Sequence, residues 1–121
     1  VMSRRATEVD KVGDVVIPAG AIVIISPYTV HRNTNYWENP EQFLPERFSA
    51  ENKRQRHRYA YIPFGGGARL CIGYRFAEME SMLVLATLAQ RFAPMPVATP
   101  HPIAMVTIRP KNGLPMYPNP R

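Results

Sequence analysis

Apolar positions cluster along this chain, and the spacing within each cluster predicts its backbone. The longest uninterrupted stretch, residues 74–92, contains neither proline nor glycine. Phe76, Met79, Leu83 and Ala86 recur there at helical spacing, and Val84, Leu85 and Leu88 widen the stripe until the second half is apolar nearly all round. That pattern predicts a helix that belongs in a core. Glu78, Glu80 and Ser81 keep its first half partly wet, and Pro94 ends it. Earlier in the chain, residues 15–17 and 21–25 are β-branched runs separated by Pro18, Ala19 and Gly20. Proline second and glycine fourth suit a type I turn, which predicts that the two runs pair as a hairpin. Both runs are apolar throughout, so burial on two faces is expected.

Between these landmarks the signals are more local. Residues 1–5 read as extended, and residues 7–14 as a polar, turn-like connector. A short helical turn is expected over residues 28–33. Asn39, Pro40 and Gln42 have the chemistry of a helix start, with Asn39 as cap and Pro40 in the first helical position. Pro45 would keep that helix short, with Phe43, Leu44 and Phe48 packed inward. Residues 49–61 carry charge but no hydrophobic period, and predict an irregular loop whose length calls for a job. Past residue 92 the chain is punctuated by proline. Residues 103–108 suggest a strand, Lys111, Asn112 and Gly113 a turn, and residues 114–117 a short return strand. No internal repeat is present.

Composition narrows this picture. A chain of 121 residues is long enough for one domain with a core, and 13 prolines imply much loop and edge strand. The single cysteine excludes an internal disulfide framework and any multi-cysteine metal site. No apolar run reaches the roughly 18 residues of a membrane span. The absence of an initiator methionine at Val1 fits a fragment or a processed chain. The net charge of +6 is concentrated at Lys53, Arg54, Arg56 and Arg58, opposed nearby only by Glu51. Such a run is a solvated loop, a nucleic-acid patch or a docking face for an acidic protein.

The chemistry gathers in residues 64–73, F-G-G-G-A-R-L-C-I-G, directly before the long helix. A thiol at that place faces the positive end of the helix dipole and unpaired backbone N–H groups, which favour the charged sulfur that binds metal or attacks electrophiles. The glycines allow a bulky object to approach the backbone closely, and Arg69 offers a forked cation for carboxylate or phosphate. Several readings compete. A phosphate loop would need a glycine-lysine-serine/threonine ending, which is missing. A nucleophilic cysteine needs a histidine base, and His31, His57 and His101 have no recognisable relation to Cys71. A buried structural cysteine is the plain alternative. A thiolate ligand to haem iron is the remaining one.

The full spacing of this run, with Phe64, Gly67, Arg69, Cys71 and Gly73 at its fixed positions, resembles the haem-binding loop of the cytochrome P450 family. Pro45, Glu46, Arg47 and Phe48 look like that family's P-E-R-F element, and His31, Arg32, Asn33, Trp37, Asn39 and Pro40 are similar to the segment preceding it. The resemblance covers nearly the whole chain in the correct order. It implies an α+β chain, the C-terminal fragment of the mainly helical cytochrome P450 fold. Strands would fill residues 1–26, short helices and a meander 27–63, the cysteine-ligand loop 64–73, a core helix 74–93 and C-terminal strands 94–121.

Carried over position by position, the resemblance makes Cys71 the axial ligand of haem b. Arg69 would pair with one haem propionate and Arg4 with the other, with Arg5 as the alternative. Phe64 would lie against the thiolate side, Gly65 and Gly73 would allow close approach, and Ala77 would touch the porphyrin face. Val1 and Met2, and then Met105, Val106 and Thr107, correspond to stretches that often line the substrate pocket, although apolar strand residues are more often plain core. Arg47 would belong to the family's structural glutamate-arginine-arginine network, whose other members have no counterpart in these residues; His31 reads as a hydrogen-bonded packing residue and Trp37 as a packing anchor.

The implied activity is a monooxygenase, with a peroxide-driven peroxygenase as the nearest variant. It acts on a small apolar substrate with electrons from an NAD(P)H-dependent redox partner. That partner would be an acidic ferredoxin, a flavodoxin or an FMN-domain reductase, docking near Lys53, Arg54, Arg56 and Arg58; no nucleic acid is expected. A non-catalytic module binding a partner or nucleic acid through the basic run is the alternative. The family's distal haem wall and its E-x-x-R helix have no counterpart in these residues. The fragment alone is therefore expected to be inactive, and to self-associate if it folds.

Overall fold

The structure, a computed structural model, describes residues 1–105 and 107–121. The chain divides into two compact units, Val1–Leu70 and Cys71–Arg121. Among the described residues no helix is long and apolar enough to cross a membrane.

The first unit begins with four strands: β1 (Met2–Arg5), β2 (Asp10–Val12), β3 (Val15–Ile17) and β4 (Ile22–Ile25). β1 pairs antiparallel with β4, from Met2 opposite Ile25 to Arg5 opposite Ile22, and β2 pairs with β3. The expected hairpin between residues 15–17 and 21–25 therefore does not form. β3 is already taken by β2, which lies inside the stretch read as a connector. The Pro18 turn does form, with Ala21 N–H donating to the Pro18 carbonyl at 3.1 Å. It carries Gly20 at its third position with φ +82°, as a type II turn requires and a type I turn does not. It reverses the chain toward β1, because Ala6 N–H donates to the Ala21 carbonyl at 2.9 Å and Gly20 N–H to the Ala6 carbonyl at 2.8 Å. Nor are the β-branched runs buried: Val15, Val16, Ile22 and Ile24 are exposed. Each pairing is a two-stranded ribbon, and a ribbon has no second layer to cover both of its faces.

α1 (Pro27–Val30) starts where Ser26 Oγ accepts the Thr29 N–H, in the region expected to be helical. The helix expected from Asn39 is absent. Asn39 is left-handed, with φ +45°, and only a turn forms there, closed by Gln42 N–H on the Asn39 carbonyl at 3.0 Å. Helical geometry comes later, as a 3-10 turn over Pro45–Phe48. Phe43, expected inward, is 92% exposed. The stretch at 49–61, expected to be an irregular loop, instead contains α2 (Ala50–Gln55), capped by Ser49 Oγ on Asn52 N–H at 3.3 Å. Glu51 in its first turn and Lys53 and Arg54 in its last complement the helix dipole. A second 3-10 turn, Gly67–Arg69, closes the unit.

Among the described residues the buried core is small and lies in this unit: Trp37, Ala60 and Ile62. Trp37 donates through Nε1 to the Ala60 carbonyl at 3.2 Å. Tyr61 packs its ring against His31 at 4.9 Å and Phe48 at 4.9 Å, with the Trp37 ring at 6.1 Å. The Arg56 guanidinium stacks over Trp37 at 4.2 Å and Phe48 at 5.1 Å, and donates to the Arg47 carbonyl. Burial, then repulsion from Arg47, push Arg56 below the ordinary arginine value, and Tyr61 pushes it back up.

The second unit is built on α3 (Tyr74–Arg91), which follows the predicted range closely. Its last turn is tied to the chain end by Arg121 N–H on the Arg91 carbonyl at 3.0 Å and Ala93 N–H on the Asn119 carbonyl at 2.8 Å. No residue of α3 is buried, so the apolar sides of the expected core helix stay uncovered within the chain. The strand expected at 103–108 is instead a short hairpin, β6 (Pro102–Ala104) with β7 (Ile108–Pro110). The return strand, β8 (Met116–Tyr117), pairs not with it but with β5 (Met95–Pro96). The turn at Lys111, Asn112 and Gly113 forms as expected, with Gly113 N–H on the Pro110 carbonyl at 3.3 Å.

Candidate functional site

The ten-residue run straddles the division of the chain: residues 64–70 close the first unit and Cys71 opens the second. Its approach is held by two side-chain ties from distant parts of the first unit. Ala60 offers its carbonyl to Trp37, and Ile62 gives its N–H to His31 Nε2 at 2.9 Å. Gly65 N–H then donates to the Ile62 carbonyl at 3.2 Å and starts the glycine turn. Gly65 has φ +84°, and a β-carbon there would lie 3.1 Å from Met2 Sδ. Gly66 is extended, but a β-carbon would lie 3.2 Å from the Tyr59 ring. The positive φ selects glycine at 65, where the near atom is the movable end of the Met2 side chain, and crowding by the Tyr59 ring selects it at 66.

This turn borders a cleft of ≈ 400 Å³ lined by Met2, Arg4, Ile25, Val30, Tyr59, Ile62, Gly66 and Gly67. Two of the predicted positions, Met2 and Arg4, thus meet the glycine turn. Arg4 lines the cleft whereas its neighbour Arg5 does not, as strand alternation requires, and Arg4 Nη1 donates to the Ser3 carbonyl at 2.7 Å. Val1 precedes β1 and is exposed. Phe64 is half-buried, and Arg69, in the 3-10 turn, is exposed.

In the second unit Cys71 is a free, exposed thiol. Its carbonyl accepts from Tyr74 N–H at 3.3 Å, and the Gly73 carbonyl accepts from Ala77 N–H at 2.9 Å, so Gly73 caps α3. A β-carbon on Gly73 would sit 4.0 Å from Cys71 Sγ, an ordinary contact; the chain itself does not demand glycine there. Ala77 is half-buried in the first turn of α3. Met105 and Thr107 lie in the β6–β7 turn, where Met105 N–H donates to the Thr107 carbonyl at 3.2 Å. Val106 lies outside the described residues.

The residue types fit a haem: Cys71 is an accessible sulfur donor and Arg69 a forked cation two positions before it in sequence, while within the first unit Arg4 lines the cleft beside the close-approach glycines. Among the described residues no group of three His, Cys, Asp or Glu side chains converges, so Cys71 has no protein co-ligands there. The basic run splits. Lys53, Arg54 and Arg58 are exposed, and Arg58 lies over the Tyr59 ring at 4.7 Å, whereas Arg56 is turned into the aromatic cluster. Sequence reasoning missed this role of Arg56 and the packing of Tyr59 on Gly66, since neither follows a period or a motif. Arg47 is held by backbone instead of by a carboxylate: its guanidinium donates to the carbonyls of Glu38, Asn39 (2.6 Å) and Gln42 (3.4 Å). His31 packs and hydrogen-bonds as expected, and Trp37 packs as expected and adds a hydrogen bond to the Ala60 carbonyl.

The cytochrome P450 family model matches residues 1–115. The chain is 39% identical over 117 residues, 93% of its length, to a probable cytochrome P450 4p3 of Drosophila melanogaster, covering 23% of that protein. It is 44% identical over 92 residues to cytochrome P450 4V2 of Mus musculus, covering 76% of this chain and 18% of the relative. With cytochrome P450 3A1 of Rattus norvegicus it shares 45% identity over 86 residues, 71% of this chain and 17% of the relative. The chain therefore spans about a quarter or less of these relatives' length. The reading of the basic run as the chain's whole function gains no support from these matches. The extent of the family match and the loop at residues 64–73 lead to one conclusion: the chain belongs to the cytochrome P450 family.

Proposed function

We propose that this chain is the haem-ligating portion of a cytochrome P450 monooxygenase, in which Cys71, as thiolate, would hold the iron of haem b. The observation that carries the reading is the complete loop pattern at residues 64–73, in a chain matched to the family over residues 1–115. Arg69 would hold one propionate in its fork and Arg4, at the cleft beside the glycine turn, the other. Phe64 would cover the sulfur and keep water from it. Gly65 and Gly73 would admit the ring and the metal to the backbone, and Ala77 would meet the porphyrin with a side chain small enough not to displace it.

When bound, haem would supply oxygen activation, by which O2, two electrons and two protons give one oxygen atom inserted into an apolar substrate and one water. The electrons would come from an NAD(P)H-dependent partner with an acidic docking face, met by Lys53, Arg54 and Arg58. Val1, Met2, Met105, Val106 and Thr107 would border the substrate. Turnover belongs to the complete protein, because among the described residues only Trp37, Ala60 and Ile62 are buried apolar side chains, too few to wall off a cofactor. The test is the absorption spectrum of the reduced, carbon monoxide-treated complete protein. A thiolate-ligated Soret band that Cys71→Ala abolishes supports the reading, and no such band in the unsubstituted protein overturns it.

A further inference from the structure

We infer that His31 is a positioning residue for the cysteine loop, holding the backbone at Ile62 through its neutral imidazole and releasing it when that imidazole is protonated. The contact joins positions 31 apart in sequence, Ile62 N–H to His31 Nε2 at 2.9 Å. Ile62 is a natural hinge. Its N–H is given to His31, its carbonyl takes the Gly65 N–H that opens the glycine turn, and its side chain is buried. On the other side of Tyr61, the Ala60 carbonyl is held by Trp37. Of these two side-chain ties only the histidine can change its hydrogen-bonding sense near neutral pH, since an imidazolium has two donors and no acceptor.

The surroundings oppose that protonation. Arg32 adjoins His31, and its own ion pair is made with Glu41 at 2.7 Å. Arg47 lines the same apolar cleft as His31, and the cleft's other members are Trp37, Phe48, Tyr61 and neutral residues, with no carboxylate. Tyr61 is the other titratable side chain in contact, through its ring at 4.9 Å. Burial first, then the Arg32 charge, lower the His31 value below its ordinary 6.5. The sign follows: the released state takes up the proton more readily, so the tie is complete above pH 6.5 and weakens as pH falls below it. Its consequence for the metal ligand rests on the haem-thiolate reading; the tie itself does not.

Residue-resolved hydrogen exchange of the Ile62 amide in the complete protein, expressed as a protection factor between pH 7.5 and 5.5, tests the tie directly. The unsubstituted protein is expected to hold a constant factor above pH 6.5 and lose up to about tenfold per pH unit below it. His31→Gln keeps a side-chain acceptor that does not titrate and should flatten the profile, while His31→Ala should lower protection at every pH. A His31→Gln profile with the same acid limb as the unsubstituted protein overturns the inference, as does a flat profile in the unsubstituted protein. Neither outcome needs the alanine variant to fold. The carbon monoxide spectrum, recorded over the same range, separates the two claims. Loss of the thiolate-ligated band should track Ile62 protection and shift to lower pH in His31→Gln. Absence of that band at every pH, with Ile62 protection still governed by His31, would defeat the haem reading and leave the tie standing.

Discussion

Trp37 should be the most costly position to truncate in the first unit. It is 5% exposed, and its Nε1 donor serves a carbonyl on Ala60, which is itself 2% exposed. Trp37→Phe keeps a ring for Arg56 to stack on, though a weaker one, and removes the donor. Water cannot readily reach the orphaned carbonyl, so the expected cost is that of an unmade buried bond, about 1–3 kcal/mol. Trp37→Ala also removes the ring that His31, Phe48, Tyr61 and Arg56 pack against, which raises the cost to roughly 3–5 kcal/mol. The measurement is the local opening free energy of residues 57–62, from hydrogen exchange of the complete protein at neutral pH. A Trp37→Phe variant within about 0.5 kcal/mol of the parent, near the scatter expected of a surface change, would refute the dependence of Ala60 on this donor.

Gly65→Ala should destabilise the turn by roughly 1–2 kcal/mol from its positive φ, and Met2→Ala should not rescue it, because Met2 Sδ is the mobile end of a flexible side chain; full rescue in a double-mutant cycle would make crowding the cause instead. Reversing Lys53, Arg54 and Arg58 to glutamate should slow reduction of the complete protein by its redox partner at low salt, with the difference closing as salt rises; rates unchanged across the salt series exclude this docking face. Arg56→Ala should instead weaken the Trp37 cluster with no such salt dependence, and a salt-dependent rate defect with unaltered stability would contradict its placement. The isolated chain, with the apolar residues of α3 uncovered, should sediment as an oligomer, and a compact monomer would show that those faces are tolerated in water.

What could be read in the sequence depended on how local the governing force is. The α3 helix was legible because eighteen residues run without a breaker and its limits are set by Gly73 and Pro94. The cysteine loop was legible because its five chemically distinct positions leave few alternatives. Strand pairing was not. The Pro18 turn signals that the chain reverses, but it does not say which earlier strand receives β4, and β2 hid in a polar stretch where Asp10 and Lys11 mask Val12. α2 escaped because its stability comes from a serine cap and charges matched to its ends, with no apolar face to produce a period. Asn39 misled because an asparagine that suits a helix cap also tolerates the left-handed region, and the structure takes the second option. Arg56 misled for a related reason: its charge suggested solvent, while its flat guanidinium is a good lid for an indole.

The acceptors of Arg47 carry a further consequence. Its guanidinium is held by backbone carbonyls, at positions 38, 39 and 42, and its own carbonyl receives Arg56. These bonds involve no carboxylate, so they do not titrate with acid and have little counter-ion atmosphere to lose in concentrated salt. A lysine retains the charge but not the planar fork that spans several carbonyls at once. This corner of the chain is thus fastened by shape more than by charge balance. Acid and salt act on its neighbours, while heat, which loosens every hydrogen bond together, is the stress that reaches it.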